Sequence, residues 1–148
     1  MTKEVLLTIK GLQFNNETGN DSIEVITKGD YYLNNGKRYI IFDEVSEGFE
    51  GSTHNIIKIN DNCMDVTKKG IANVHMVFEE NKKNMAYYNT PFGNILVGIL
   101  TRNVAVDETE DNIDVNVDYE LEVNYEHLAE CSIAMNIKPK DTKNFSLR

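Results

Sequence analysis

Residues Asn112–Glu126 read NIDVNVDYELEVNYE. Every odd position from Ile113 to Tyr125 is apolar or aromatic, and every even position is acidic or Asn. A period of two held this long means one β-strand with one face buried and one in water. At about 3.3 Å per residue the run is roughly 45 Å long, against ordinary strands of about 5–6 residues. A strand of that length bends, and it belongs to a strongly coiled sheet or barrel. Tyr119, at its middle, is expected inside, with Asp118 and Glu120 outside.

The runs on either side are also strands. Asn94–Val106 precedes it, apolar on both faces in its first half, with Gly98 expected to bend it. Ala129–Ile137 follows, with Ala129, Cys131, Ile133, Met135 and Ile137 alternating. Further out, short apolar runs are broken by turn residues at regular intervals: Glu4–Gln13, Asp21–Leu33, Lys37–Val45, Ser52–Ile59, Cys63–Lys68, Ile71–Phe78 and Met85–Asn89. Gly29-Asp30 suggests a bulge. Asn34-Asn35-Gly36 is a tight hairpin turn, because Asn-Gly tolerates positive φ. Thr90-Pro91-Phe92-Gly93 fits a turn with Pro fixing φ at its second position. No stretch has helical periodicity.

A chain of 148 residues suits one domain. The expected core spans about 4–138, with a loose tail at 139–148. The fold class is all-β. Strands that each follow beside the last make an antiparallel up-and-down β-barrel of about eight to ten strands, the simplest closure that hides both edges. A two-sheet sandwich is the alternative.

The formal charge of -9 argues against nucleic acid and against an anionic membrane surface as partners. Between Asn103 and Ile137 there is no Lys or Arg, yet ten acids lie there. That excess reads as a solvated outer face which blocks edge-to-edge pairing. No apolar stretch approaches the ~20 residues of a membrane helix, and no secretory signal opens the chain. The expected place is therefore the cytoplasm, with Cys63 and Cys131 as reduced thiols.

No catalytic constellation stands out. His54, His75 and His127 lack metal-ligand spacing, and the two cysteines form no CxxC. No nucleophile elbow or phosphate-binding glycine loop is present. The expectation is a protein that is not an enzyme and uses no metal or cofactor. Candidate polar anchors for a ligand are Glu44, Arg102, Tyr119, His54 and Tyr88. Arg102 shares its parity with Leu96, Leu100, Val104 and Val106. Such a guanidinium either meets an acid inside, with Glu44 the candidate, or holds a ligand anion, or keeps its head in water at the rim. If that even face fills the barrel, the stripe Ile95, Val97 and Ile99 needs a cover. A second copy of the chain in a homodimer is one cover, and an N-terminal strand or loop is another.

The order of motifs resembles a known family. Gly29-Asp30-Tyr31-Tyr32 comes first, then Asn35-Gly36-x-x-Tyr39-Ile40-x-Phe42-Asp43-Glu44. Lys68-x-Gly70 leads to Met76-x-Phe78-Glu79, followed by Thr90-Pro91-Phe92-Gly93-Asn94-Ile95, Thr101 and Val117-x-Tyr119-x-Leu121. The chain resembles, from about Glu4 to Ile137, the YwiB-like family of small bacterial proteins, a domain of unknown function. Lys68 stands where an Arg is expected two before Gly70, and lysine cannot make arginine's bidentate contact. The resemblance implies a calycin-like (lipocalin-like) barrel and no activity. The chain has no Trp, so the Gly-x-Trp signature of secreted lipocalins is missing, and a lipocalin ligand rests on fold analogy alone.

Two functions follow. One is a binding module holding a small apolar or amphipathic ligand. The other is a structural or protein-interaction barrel with a packed interior. A cavity above roughly 300 Å³ favours the first.

Overall fold

The long alternating run is a strand from Asn112 to Val123, with Ile113, Val115, Val117, Tyr119 and Leu121 buried along one face. In the computed structural model, which describes residues 3–11, 24–45, 51–91 and 93–140, it is the ninth of ten strands. The others are β1 (Glu4–Lys10), β2 (Glu24–Asn34), β3 (Lys37–Glu44), β4 (Thr53–Asn60), β5 (Cys63–Gly70), β6 (Val74–Glu79), β7 (Lys83–Thr90), β8 (Gly93–Thr109) and β10 (Glu126–Pro139). Among the described residues there is no helix, hence none long and apolar enough to cross a membrane.

All ten strands form one antiparallel sheet in the order β6-β5-β4-β3-β2-β1-β10-β9-β8-β7. This is a meander whose first and last strands pair with each other, so the sandwich alternative falls. The sheet's two ends, β6 and β7, are consecutive in the chain. They meet through the Asn73–Asn89 bridge, with N–H···O distances of 2.9 Å in both directions. The barrel is thus nearly closed. Its middle is filled by apolar side chains from all sides, including Leu7, Ile57, Met76, Phe78, Ile99 and Ile133. The Asn35-Gly36 hairpin forms as expected, with φ of 53° and 79°.

The largest departure from the sequence reading lies in β8. A register shift falls between Thr101 and Asn103 against β9, which makes Arg102 the extra residue of a β-bulge. Before the bulge the odd positions Val97, Ile99 and Thr101 face the interior; after it the even position Val104 does. The stripe expected to need a cover is therefore part of the core. Gly98 carries no bulge. Its missing Cβ leaves room for Met85 Sδ and Glu122, which would lie 3.0 and 3.1 Å from it.

Smaller corrections have similar causes. The strand expected to reach Glu126 stops at Val123, because Asn124 and Tyr125 take positive φ (51° and 70°) and turn the chain. Tyr125 is consequently exposed rather than inward, and β10 starts at Glu126 rather than Ala129. Gly29-Asp30 makes no register shift; β2 changes partner there, from β1 to β3, both pairing at Asp30. β6 begins at Val74 rather than Ile71, because the Asn73 side chain bonds both the N–H and the C=O of Gly70 and holds a turn. Pro139 belongs to β10, opposite Val5, not to a loose tail. Residues 141–148, the loop at 15–20, most of the loop at 46–51 and Phe92 lie outside the described residues.

Tyr119 is 2% exposed, as expected, and packs edge-on against Phe78 with ring centroids 5.0 Å apart. Its hydroxyl makes no conventional hydrogen bond, and neither does that of Thr101, its cross-strand neighbour. The Cys131 thiol opposite interacts with it, but a thiol is a weak partner. Tyr119→Phe is therefore expected to raise stability by about 1 kcal/mol, since it removes an unsatisfied buried group and leaves the ring. Urea denaturation checks this. A loss of similar size would mean that the hydroxyl is satisfied in solution, for instance by a buried water.

Candidate functional site

Alternation along three adjacent strands places polar side chains inside one end of the barrel. The inward face of β4 carries Thr53 and Asn55 at its start, then Ile57 and Ile59 deeper in. That of β5 carries Met64 and Val66, then Lys68 at its end. That of β3 runs Arg38, Ile40, Phe42, Glu44. Pairing sets Asn55 opposite Lys68 and Thr53 opposite Glu44. The end where β3 and β5 finish and β4 begins, here called the mouth, thus collects Glu44, Thr53, Asn55 and Lys68.

These four groups form one network. Lys68 Nζ donates to Glu44 Oε1 at 3.0 Å and to Asn55 Oδ1 at 2.8 Å. Asn55 Nδ2 donates to Glu44 Oε1 and to the Thr53 carbonyl, both at 3.2 Å. Thr53 Oγ1 accepts from the Ala72 N–H at 3.4 Å, tying the network to the turn after β5. Lys68 is 4% exposed and Asn55 0%, while the Glu44 side chain keeps 19%. Lysine is almost never this buried unless it is paired.

Tyr88 lies inward on β7. Burial raises its pKa, and the Glu44 charge raises it further. Tyr88 also lines a cavity of about 140 Å³ whose other walls are Thr90, Ile95, Val97, Leu121, Val123 and Leu128.

The opposite end carries an ion pair. Arg38 donates to Glu108 Oε1 from Nε at 2.9 Å and from Nη2 at 2.5 Å, beside buried Tyr31.

The five residues singled out from the sequence divide as follows. Glu44 and Tyr88 lie at the mouth. Tyr119 is inside but deep in the packed core. His54 sits on the outer face, with Nδ1 2.7 Å from Asp43 Oδ1. Arg102, thrown outward by its bulge, has a side chain 61% exposed and paired with Glu120 on the outer face. The inward Glu44–Arg102 pair is thus overturned; Lys68 takes the place proposed for Arg102. Lys68, Asn55 and Thr53 were not picked out as anchors. The available signal was Lys68 sharing a parity with Met64 and Val66. His75 and His127 likewise pair outside, with Asp65 at 2.8 Å and Glu120 at 3.6 Å.

The thiols of Cys63 and Cys131 are pushed up from their usual pKa, chiefly by burial, so both favour the unreactive protonated form. Tyr31, Tyr88 and Tyr119 are also raised, with burial the first cause in each. Their phenols ionise near pH 10 in the unfolded chain and hold their protons to higher pH in the fold. Above about pH 10 the fold binds more protons than the unfolded chain. This stabilisation is complete below about pH 10 and is lost as pH rises through the folded values. Urea midpoints measured from pH 8 to pH 11.5 should fall from about pH 9 upward, first through the raised thiols and then through the phenols; a flat profile would contradict the assignment.

The barrel has a known counterpart. The crystal structure of the YwiB protein from Bacillus subtilis superposes with a TM-score of 0.76, covering 94% of this chain and 93% of that one at 20% identity. At that identity the likeness concerns the fold. No curated protein matches the chain. The family described as a domain of unknown function, DUF1934, matches residues 7–135, a span that takes in the strands bearing Glu44, Asn55, Lys68 and Tyr88. The chain belongs to that family.

Proposed function

We propose that this barrel is a non-enzymatic binding module that holds a small amphipathic molecule at its mouth. The observation that carries the reading is the buried Lys68–Glu44–Asn55 network; the cavity that Tyr88 lines offers the apolar room. Taking an ammonium and a carboxylate out of water costs several kcal/mol per ion before pairing, on the order of what the pair returns. Apolar residues of similar volume would stabilise the mouth as well or better. Stability alone thus gives no reason for the network, whereas orienting a polar head group does.

Size limits the ligand. A cavity of about 150 Å³ admits a molecule as large as benzene, and the hollow here is about 140 Å³. It falls short of the roughly 300 Å³ that favours a binding module by volume, so the reading rests on the polar network. The apolar part should therefore amount to about six carbons, seated across the mouth rather than along the barrel axis. The two free cysteines fit a reducing compartment such as the cytoplasm.

The packed middle of the barrel favours a second reading, an interaction protein with no ligand. Native mass spectrometry of protein purified from its own host separates the two. The binding reading expects a retained small-molecule adduct of a few hundred daltons or less. A bare chain under conditions that keep the fold, and no adduct after incubation with host extract, supports the interaction reading instead.

A further inference from the structure

We infer that the polar head taken by this mouth is a neutral hydrogen-bond acceptor, such as an amide carbonyl, rather than a carboxylate. The inference rests on the binding reading above and concerns what the same site selects.

An ammonium carries three N–H donors. Among the described residues, Lys68 Nζ spends one on Glu44 Oε1 and one on Asn55 Oδ1. One donor is left over on a group with almost no access to water. Leaving it unmade is costly, so an acceptor supplied by a ligand is favoured. The charge of Lys68 is a different matter. It is already balanced by a carboxylate 3.0 Å away. A second carboxylate at Nζ would bring a net negative charge into a site poor in water and close to Glu44, where like charges repel strongly. Arg38, an inward cation at the start of β3, is engaged by Glu108 at the far end and cannot compensate. A carbonyl or hydroxyl head satisfies the spare donor and adds no charge.

Hexanamide and hexanoate make a matched test, with the same six carbons and different heads. Each is titrated into ¹⁵N-labelled wild-type protein at pH 7, following the Asn55 side-chain amide and the backbone amides of Tyr88 and Leu121. Hexanamide is expected to shift these signals saturably and hexanoate to bind about tenfold or more weakly. Glu44→Gln, which removes the competing charge and keeps the shape, is expected to raise hexanoate affinity about tenfold. Hexanoate binding as tightly as hexanamide in the wild type overturns the inference, as does a Glu44→Gln protein that folds and gains nothing for hexanoate. If neither probe shifts the mouth, the binding reading itself fails; if both bind alike, only the selectivity does.

Discussion

Glu44→Leu is expected to lower stability by about 3 kcal/mol, and Lys68→Met by only about half as much. Both substitutions break the same 3.0 Å ion pair, yet they strand different partners. Glu44→Leu leaves a nearly inaccessible ammonium with, among the described residues, Asn55 Oδ1 as its one acceptor. Breaking a buried pair in that direction costs about 3–5 kcal/mol, and the partial exposure of Glu44 argues for the lower end. Lys68→Met leaves a carboxylate that can turn toward water, together with one unsatisfied Asn55 oxygen, and methionine fills the space of the lysine stem. The double variant should lose no more than Lys68→Met alone, because the stranded charge is gone. Urea denaturation of the four proteins gives the coupling energy directly. Additive single losses, or a Glu44→Leu loss below about 1 kcal/mol, would mean that the pair is not formed in solution as described.

Gly70→Ala is expected to cost about 3–4 kcal/mol. Gly70 has a φ of 142°, a conformation that side-chain-bearing residues rarely adopt. A Cβ there would also sit 2.3 Å from the Ser52 carbonyl oxygen and 2.9 Å from Thr53 Cα. Both are backbone atoms of the paired strand and its approach, so no rotamer change relieves the clash. The turn is further pinned by Asn73, which bonds both polar groups of Gly70. Any shift passes to Thr53 and Lys68, and so to the mouth. Gly36→Ala is the control: its φ of 79° is also positive, but nothing lies within 4 Å of the added carbon. It should cost about 1 kcal/mol. If the two substitutions cost the same, the close approach at Gly70 is not real.

The β-architecture could be read from Asn112–Val123 because a half-buried strand writes its two environments into alternate residues. The same logic failed in β8. Ile95, Leu96, Val97, Ile99 and Leu100 are apolar on both parities, so nothing local says which side is inside. The bulge at Arg102 then reverses the parity halfway along, and a bulge without glycine leaves no mark in a single sequence. That one residue decided two expectations: the direction of Arg102 and the supposed need to cover Val97 and Ile99.

The mouth was half legible. Glu44 could be named as an anchor because it shares a parity with Ile40 and Phe42, and Tyr88 because a tyrosine gives a pocket an apolar wall with a polar tip. Lys68 and Asn55 could not, because their significance lies in registers between strands. Only the pairing of Asn55 with Lys68, and of Thr53 with Glu44, brings the network together. Register across a sheet is fixed by turns and by the whole hydrophobic pattern, not by neighbours in sequence. Lys68 drew notice in the sequence only as a departure from an expected arginine. In the fold, its single ammonium reaches both Glu44 and Asn55.

The central claim is that the mouth network serves a ligand rather than the fold, and one measurement addresses both halves of it. The Lys68→Met/Glu44→Leu double variant and the wild type are each purified from the native host and compared by native mass spectrometry, with urea denaturation confirming that both are folded. The expected result is a small-molecule adduct on the wild type and none on the stable, folded double variant. An adduct retained equally on both, or present on neither, would contradict the account.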